Sequence, residues 1–282
     1  MLEIKVKNNF GEILNLSSST AYTLYKVEGI TPPKINISTS ANATSDGDTV
    51  NSVRAEKRNI VLYLKIENDV ENNRLKLYRY FPLKKNLTVY CKTDTRDMCI
   101  EGKVELIEPA LFDKKQAVQI SIICPQPYFK AIDDLVTSFA EISSLFEFPF
   151  SISNTGMEFS AVNNNIRKSI VNNGEFDTGV EIKIFATGEV VNPVIYDAFR
   201  RTHIKLNMTL QTNDTVVINT NKGKKSITLI RSGVESNAMG NLAATSKWLQ
   251  LYVGDNVFTY TADSGSSNLQ LTFISSPAYG GV

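Results

Sequence analysis

The stretch Ile60-Val61-Leu62-Tyr63-Leu64-Lys65-Ile66 decides the fold class. Ile60, Leu62, Leu64 and Ile66 occupy every second position, with Val61, Tyr63 and Lys65 between them. Side chains of an extended chain alternate between two faces, so this run offers one continuous apolar face to a core and a mixed face outward. The pattern recurs on both sides of it. Leu87, Val89 and Cys91 alternate with Thr88, Tyr90 and Lys92. Ile100, Gly102, Val104 and Leu106 face away from Glu101, Lys103 and Glu105, and Val118, Ile120 and Ile122 face away from Gln119 and Ser121. The start of the chain, Met1-Leu2-Glu3-Ile4-Lys5-Val6-Lys7, alternates in the same way and reads as a first strand, not as a secretory signal, which needs an unbroken apolar segment.

One helix interrupts these strands. Asn68-Asp69 can cap a segment in which Leu77, Tyr78 and Phe81 recur at helical spacing, and Pro82 stops it. Before it, Thr39 to Arg54 is polar and turn-rich, with Asp46-Gly47 at its centre as a hairpin turn signal. A long hairpin with both faces polar is expected to project from the body instead of joining its core.

Residues 131–150 change character. Ile132, Leu135, Val136, Phe139, Ile142 and Phe146 fit helical spacing before Phe148-Pro149-Phe150 breaks it, and a short helix and an extended linker strand both remain open. Beyond residue 150 alternation returns, with turns between the runs. Val180 to Ala186 leads to Gly188, Ile204 to Leu210 leads to Asn213-Asp214, and Val216 and Ile218 lead to Lys222-Gly223, with Ile227 and Leu229 beyond. Trp248, Gln250 and Tyr252 precede a turn at Gly254-Asp255-Asn256, Phe258 and Tyr260 precede Ser264-Gly265, and Leu269, Leu271 and Phe273 close the series. Short strands at such spacing indicate a β-sandwich. The expected organisation is a mainly β protein: a β domain over 1–130 with one helix and a projecting hairpin, a linker over 131–150, and a second sandwich over 151–282.

The 282 residues carry 42% apolar and 21% charged residues, close to the averages for globular domains. No run approaches the roughly 18–20 apolar residues of a membrane-spanning helix. Residues 1–130 hold 19 basic and 15 acidic side chains, a net of +4, and the remainder 11 and 14, a net of −3. Neither half has the strong positive excess of a dedicated nucleic-acid-binding domain. Cys91, Cys99 and Cys124 all sit in strand-like stretches, and an odd count without a signal sequence points to reduced, buried thiols in a reducing compartment.

Catalytic signatures are sparse. The single histidine, His203, would have to serve any Ser-His-Asp triad, and no Gly-x-Ser-x-Gly elbow accompanies it. The three cysteines lack the close Cys-x-x-Cys pairing of a zinc site. Asn221-Lys222-Gly223-Lys224-Lys225-Ser226 lacks the leading glycine of a phosphate-binding loop and lies between strands, so it reads as a basic hairpin turn. Ser45-Asp46-Gly47-Asp48 lacks the alternating carboxylates of a calcium loop. No metal, cofactor or catalytic residue is expected. Trp248 beside a strand is a candidate sugar-stacking platform or a core residue. Tyr78, Tyr80 and Phe81 cluster near Arg74, Arg79 and Lys85; aromatic plus Arg is the composition of interface hot spots, and core packing of one helical stripe explains the same residues. Asp46, Arg54, Tyr78, Arg79 and Phe81 are therefore the candidate subunit-contact residues.

The order of these segments resembles the distal tail protein (Dit-like) family of long-tailed, siphovirus-type bacteriophages, over essentially the whole chain. The pieces that carry the resemblance are Gly29-Ile30-Thr31-Pro32-Pro33, the Asp46-Gly47 turn with Asn51-Ser52 and Arg54, Arg58-Asn59-Ile60, and Pro127-Tyr128-Phe129. In the second half they are Gly188-Glu189-Val190-Val191-Asn192-Pro193, Trp248 followed by Gly254-Asp255-Asn256, and Tyr279-Gly280-Gly281-Val282. The resemblance implies a non-enzymatic, N-terminal ring-forming β domain and a C-terminal galectin-like sandwich. It implies a homo-hexameric ring in the baseplate at the tail tip of the virion, assembled in the host cytoplasm. That ring joins the tail tube to the adsorption apparatus. Its partners would be the tail tube, tail-associated hub and tape-measure proteins and a receptor-binding protein, with no specific nucleic acid and no membrane. The galectin-like label does not itself transfer sugar binding, because fold does not imply function. A lectin-like carbohydrate-binding protein acting in host recognition and a cell-wall glycan hydrolase are the rival readings.

Overall fold

The computed structural model describes residues 2–111, 116–144, 160–164 and 167–282. The chain divides into two compact units, residues 1–132 together with 278–282, and residues 133–277.

The first unit is built on one large antiparallel sheet. Its strands are β1 (Glu3–Lys7), β2 (Ile13–Asn15), β3 (Tyr22–Glu28), β6 (Arg58–Ile66), β7 (Asn86–Lys92), β8 (Asp97–Pro109), β9 (Ala117–Cys124) and β10 (Phe129–Ala131). The strands β4 (Ile35–Ala41) and β5 (Asp48–Ala55) form a separate two-stranded hairpin. The order across the large sheet is β2-β1-β7-β8-β9-β6-β3, with β10 added to β8 and residues 278–279 added to β10. The alternation read from sequence becomes burial: Ile60, Leu62 and Leu64 are fully buried while Val61, Tyr63 and Lys65 are half-exposed. Strand β8 departs from it. A register shift between Val104 and Leu106 places an extra residue in β8, so Leu106 turns outward at 44% exposure and Ile107 packs against the core instead. A bulge of this kind inverts the alternation beyond it.

The helix α1 (Val70–Tyr80) lies where the spacing puts it, and buries Asn73, Leu77 and the following Phe81. Its start differs from expectation. Asp69 occupies the N-cap position in a left-handed conformation (φ 39°), and its carboxylate accepts from Asn72 Nδ2 at 2.9 and 3.0 Å instead of from the helix backbone. N-cap side chains normally bond the helix backbone from an extended conformation, which Asp69 does not adopt. The buried Asn73 fastens the helix: its carbonyl accepts from the Tyr22 hydroxyl at 2.9 Å and its amide donates to Asn68 O at 2.7 Å.

The second unit is a sandwich. One sheet runs in the order Leu135–Ser138, Leu269–Ser275, Glu181–Ala186, Thr215–Asn219, Ser226–Arg231, Val234–Asn237; the other is Arg167–Asn172, Gly254–Thr261, Val194–Asp197, Thr202–Lys205. A single apolar core draws from both, including Ile182, Val216 and Phe273 from the first sheet and Ile170, Ile195 and Phe258 from the second. Phe273 is the junction, its ring centroid 4.8 Å from Phe258 and 5.1 Å from Phe139. Residues 135–138 are extended, one of the two conformations the sequence left open, and Phe139 is fully buried in this core. Phe146 and Phe148 to Phe150 lie outside the described residues. Gly254-Asp255-Asn256, expected as a turn, is the start of a strand. Asn256, fully buried, reaches back to hold the preceding bend through Tyr252 N at 2.9 Å, Tyr252 O at 2.7 Å and Gly254 O at 2.9 Å.

Candidate assembly surface

The hairpin β4–β5 is exposed along its whole length, save for half-buried Ala55 at its base. Its register sets what each face carries. Ile35 pairs with Ala55, Ile37 with Val53 and Ser38 with Ser52; the register then slips by one residue, and Thr39 pairs with Val50. Paired residues share a face, so the slip gathers Ile35, Ile37, Val53 and Val50 on one side and Asn36, Arg54, Ser38 and Ser52 on the other. The hairpin is therefore amphipathic, which corrects the expectation of two polar faces. Its apolar face is unpartnered: Ile35, Ile37, Val50 and Val53 are 43%, 57%, 56% and 63% exposed. Without the extra residue, a ladder counted back from Asp46-Gly47 would scatter these four over both faces, which is why the sequence alone did not reveal them.

The five candidate contact residues fall into three places. Asp46 lies in the exposed turn of the hairpin and Arg54 on its polar face. Tyr78 and Arg79 lie on the outer side of α1; Tyr78 is 39% exposed, and Arg79 pairs with Glu12 in the turn between β1 and β2. Hydrogen bonds from Asn8 and then Arg79 hold the Glu12 carboxyl below its ordinary range. Phe81 is fully buried in the core of the first unit, so its ring is unavailable to a partner and helical-stripe packing explains it.

A second construction in this unit gathers motif pieces that the sequence presents only as separate turns. Arg58, 3% exposed, donates from Nε to Pro127 O at 2.7 Å, from Nη1 to Gly29 O and Thr31 O at 2.6 Å each, and from Nη2 to Gly280 O at 2.5 Å. Its guanidinium carbon stands 4.7 Å from the centre of the Phe129 ring. A buried cation is tolerated only when its donors are met, and here four backbone carbonyls meet them. Gly29 has φ +78°, and a Cβ there would fall 1.8 Å from Asn59 O, so the close approach requires glycine.

Among the described residues, the geometry brings together little that catalysis could use. His203 Nε2 stands 3.3 Å from Thr245 Oγ1, and its ring centre 5.7 Å from that of Tyr196. Glu3, Glu12, Glu28, Glu67, Asp214 and Asp263 are all held below the ordinary carboxylate range, chiefly by hydrogen bonds from Lys5, Asn8, Lys26, Lys65, Arg231 and Asn192 respectively. A general acid needs the opposite shift. Burial pushes the Cys91 and Cys124 thiols up to about 12, which leaves them without thiolate character near neutrality. Among the described residues no three of His, Cys, Asp and Glu converge on a metal position. Asn221 to Lys225 forms the turn between two paired strands, Thr215–Asn219 and Ser226–Arg231, with Gly223 at φ +79°. Trp248 is half-buried against the second core, and Lys225 Nζ lies 5.3 Å from its ring centre.

Residues 147–275 match the model of the family described as siphovirus-type tail component, C-terminal domain. No curated protein sequence matches the chain. Among solved structures, the chain is similar to the Dit protein (gp 19.1) of phage SPP1, described as a paradigm of the hub adsorption apparatus in phages infecting Gram-positive bacteria. That likeness has a TM-score of 0.69 at 12% identity, over 97% of this chain and 98% of the other. It is also similar to chains of the phage P2 baseplate in its activated conformation, with Ca (TM-score 0.54, 10% identity, 98% of each chain) and with Sr (0.53, 10%, 97% and 98%). The protein thus shares its fold with SPP1 Dit along nearly its whole length, and its residues 147–275 match the siphovirus-type tail component C-terminal domain.

Proposed function

We propose that this protein is a phage tail component, a non-enzymatic structural hub of the tail tip. Copies associate head to tail around an axis into a closed, hexameric ring that joins the tail tube to the host-adsorption apparatus. The observation that carries this is the hairpin β4–β5: four β-branched apolar side chains on one face, each 43–63% exposed, with none of the described residues covering them. Its turn, Asp46-Gly47, is polar, so the hairpin can project through water and present the apolar face to a neighbour. A contact between two different patches whose rotation closes generates a ring. The first unit, residues 1–132 with 278–282, forms that ring, and the second, residues 133–277, forms the rim sandwich. Asp46, Arg54, Tyr78 and Arg79 lie in or beside the contacts.

The likeness to the SPP1 hub protein and to phage P2 baseplate chains supports the placement at the distal end of the tail. The neighbours proposed for it there are the tail tube protein, the tail-associated hub and tape-measure proteins and a receptor-binding protein. Assembly takes place in the host cytoplasm, where the three cysteines stay reduced. Antibody raised against the purified protein tests the placement: immunogold on intact virions is expected to label the tail tip, and label along the tube or on the head would contradict it.

A further inference from the structure

We propose that residues 278–282 are the built-in ligand of a peptide-binding cleft centred on Arg58, and that their docking fixes the root of the projecting hairpin. Residues 278–282 follow the second unit in sequence and belong to the first in structure. Ala278 and Tyr279 pair with Lys130 and Phe129 as a short added strand. Arg58 Nη2 donates to Gly280 O at 2.5 Å and Arg96 Nη1 to Gly281 O at 3.0 Å, while the Arg96 guanidinium lies 4.7 Å from the Tyr279 ring centre. Val282 N donates to Ile30 O at 3.1 Å. This is recognition of an extended peptide by main-chain bonds, with a pocket for one side chain.

The cleft is selective. A Cβ on Gly281 would come within 2.8 Å of Ile30 O, 2.9 Å of Thr31 C and 3.0 Å of Pro32 N, all backbone atoms that cannot swing aside. The ligand it takes is thus an extended segment with glycine at that position, following an aromatic residue that stacks on Arg96. The same atoms anchor the hairpin. Its two strands leave the body at Gly29–Lys34 on one side and Glu56–Arg58 on the other, closed by Glu56 N to Lys34 O at 3.0 Å. Arg58 bonds Gly29 O and Thr31 O with the nitrogen beside the one that holds Gly280. Undocked, residues 278–282 would leave a buried guanidinium short of a partner and Ile30–Pro32 without the Gly281–Val282 segment packed against them. The first unit is synthesised well before this segment, on the order of ten to thirty seconds at ordinary elongation rates. Its hairpin root is therefore fixed only after the second unit's chain has been made.

Hydrogen exchange on the full chain, on Gly281→Val and on a chain ending at Pro277 tests this. Exchange at residues 29–34 and 56–60 is expected to rise at least tenfold in both altered proteins, with residues 181–186 and 269–275 unchanged. A synthetic peptide of residues 276–282 added to the shortened chain is expected to restore protection at the root. Should either protein lose the first unit's fold altogether, Arg96→Ala, which keeps Arg58 and the segment, is expected to give a several-fold rise at the same positions. Unaltered exchange at the root in the shortened chain or in Gly281→Val, no restoration by the peptide, or, where those two do not fold, no rise in Arg96→Ala overturns the proposal. The link from hairpin root to ring rests on the proposed function, but this readout does not: a loosened root supports the latch whatever the oligomeric state.

Discussion

Replacing Ile37 and Val53 together with threonine probes the exposed face of the hairpin. The two residues lie directly opposite one another and are 57% and 63% exposed. Threonine keeps the branched Cβ and the strand preference, and removes apolar surface without unfolding the ladder. Full burial of Val or Ile stabilises by about 1.5–3 kcal/mol, so covering the exposed six-tenths of each is worth about 1–2 kcal/mol, of which threonine's remaining methyl retains part. The double change is then expected to remove about 2 kcal/mol per subunit contact, roughly a 30-fold loss in association constant. Sedimentation velocity over a concentration series reads that loss directly. The monomer's melting temperature is expected to stay within about a degree or two, because surface substitutions away from packing features stay within about 0.5 kcal/mol. Ser38→Thr with Ser52→Thr, on the polar face, serves as the control and is expected to leave association within threefold. Unchanged association in the Ile37/Val53 protein would refute the reasoning. So would a melting temperature lowered by many degrees, since the face would then be packed within its own chain.

Three further outcomes follow from the structure. Asp214, 1% exposed, accepts from Arg231 Nε at 3.0 Å and Nη2 at 2.5 Å and from Gln211 N at 2.7 Å. Since Arg231 is 41% exposed, Asp214→Ala is expected to cost the second unit about 2 kcal/mol, between the surface and buried ranges, read by chemical denaturation. The Arg231 hydrogen bond lowers the Asp214 pKa in the fold, so its contribution is present above the unfolded value of about 3.9 and is lost as pH falls below it. Melts at pH 7 and pH 3 are expected to converge for Asp214→Ala relative to the parent, and a constant gap would contradict the assignment. For the thiols, a disulfide reagent at pH 8 is expected to label half-buried Cys99 first and to reach Cys91 and Cys124 only on unfolding; equal rates would show that the sheet opens. Gly265→Ala places a Cβ 2.0 Å from Glu189 O at φ +74°, whereas Gly47→Ala at φ +88° meets nothing within 4 Å. The first is expected to destabilise by several kcal/mol and the second by about 1 kcal/mol, and comparable losses would contradict the packing.

What was legible in the sequence was local. Period-two alternation located β6, β7 and β9, and helical spacing with Pro82 located α1, because each pattern is written within a dozen residues. What escaped depended on a single inserted residue or on distance. The extra residue in β8 turned Leu106 outward, and the slip near Asn51 gathered an apolar face out of a stretch that reads as polar. Phe81 shares its helical spacing with Tyr78, and only the packed helix separates the buried ring from the exposed one. The Arg58 cleft was visible only as fragments. Gly29 to Pro33, Arg58 to Ile60, Pro127 to Phe129 and Tyr279 to Val282 stand out individually as turns and strand edges. Their common reason is one guanidinium whose carbonyl partners come from positions up to 222 residues away. No periodicity encodes such a meeting. The same holds for Gly188 to Pro193, held where Val191 N bonds Ser264 O at 3.0 Å and Asn192 Nδ2 bonds Asp263 Oδ2 at 2.8 Å.

Copies of this chain are proposed to grip one another around an axis, and the purified protein can show it without any tail present. Negative-stain images, taken alongside sedimentation velocity at rising concentration, are expected to resolve one closed species with sixfold symmetry and a central opening. A protein that stays monomeric at high concentration, or that grows into open filaments, would contradict it.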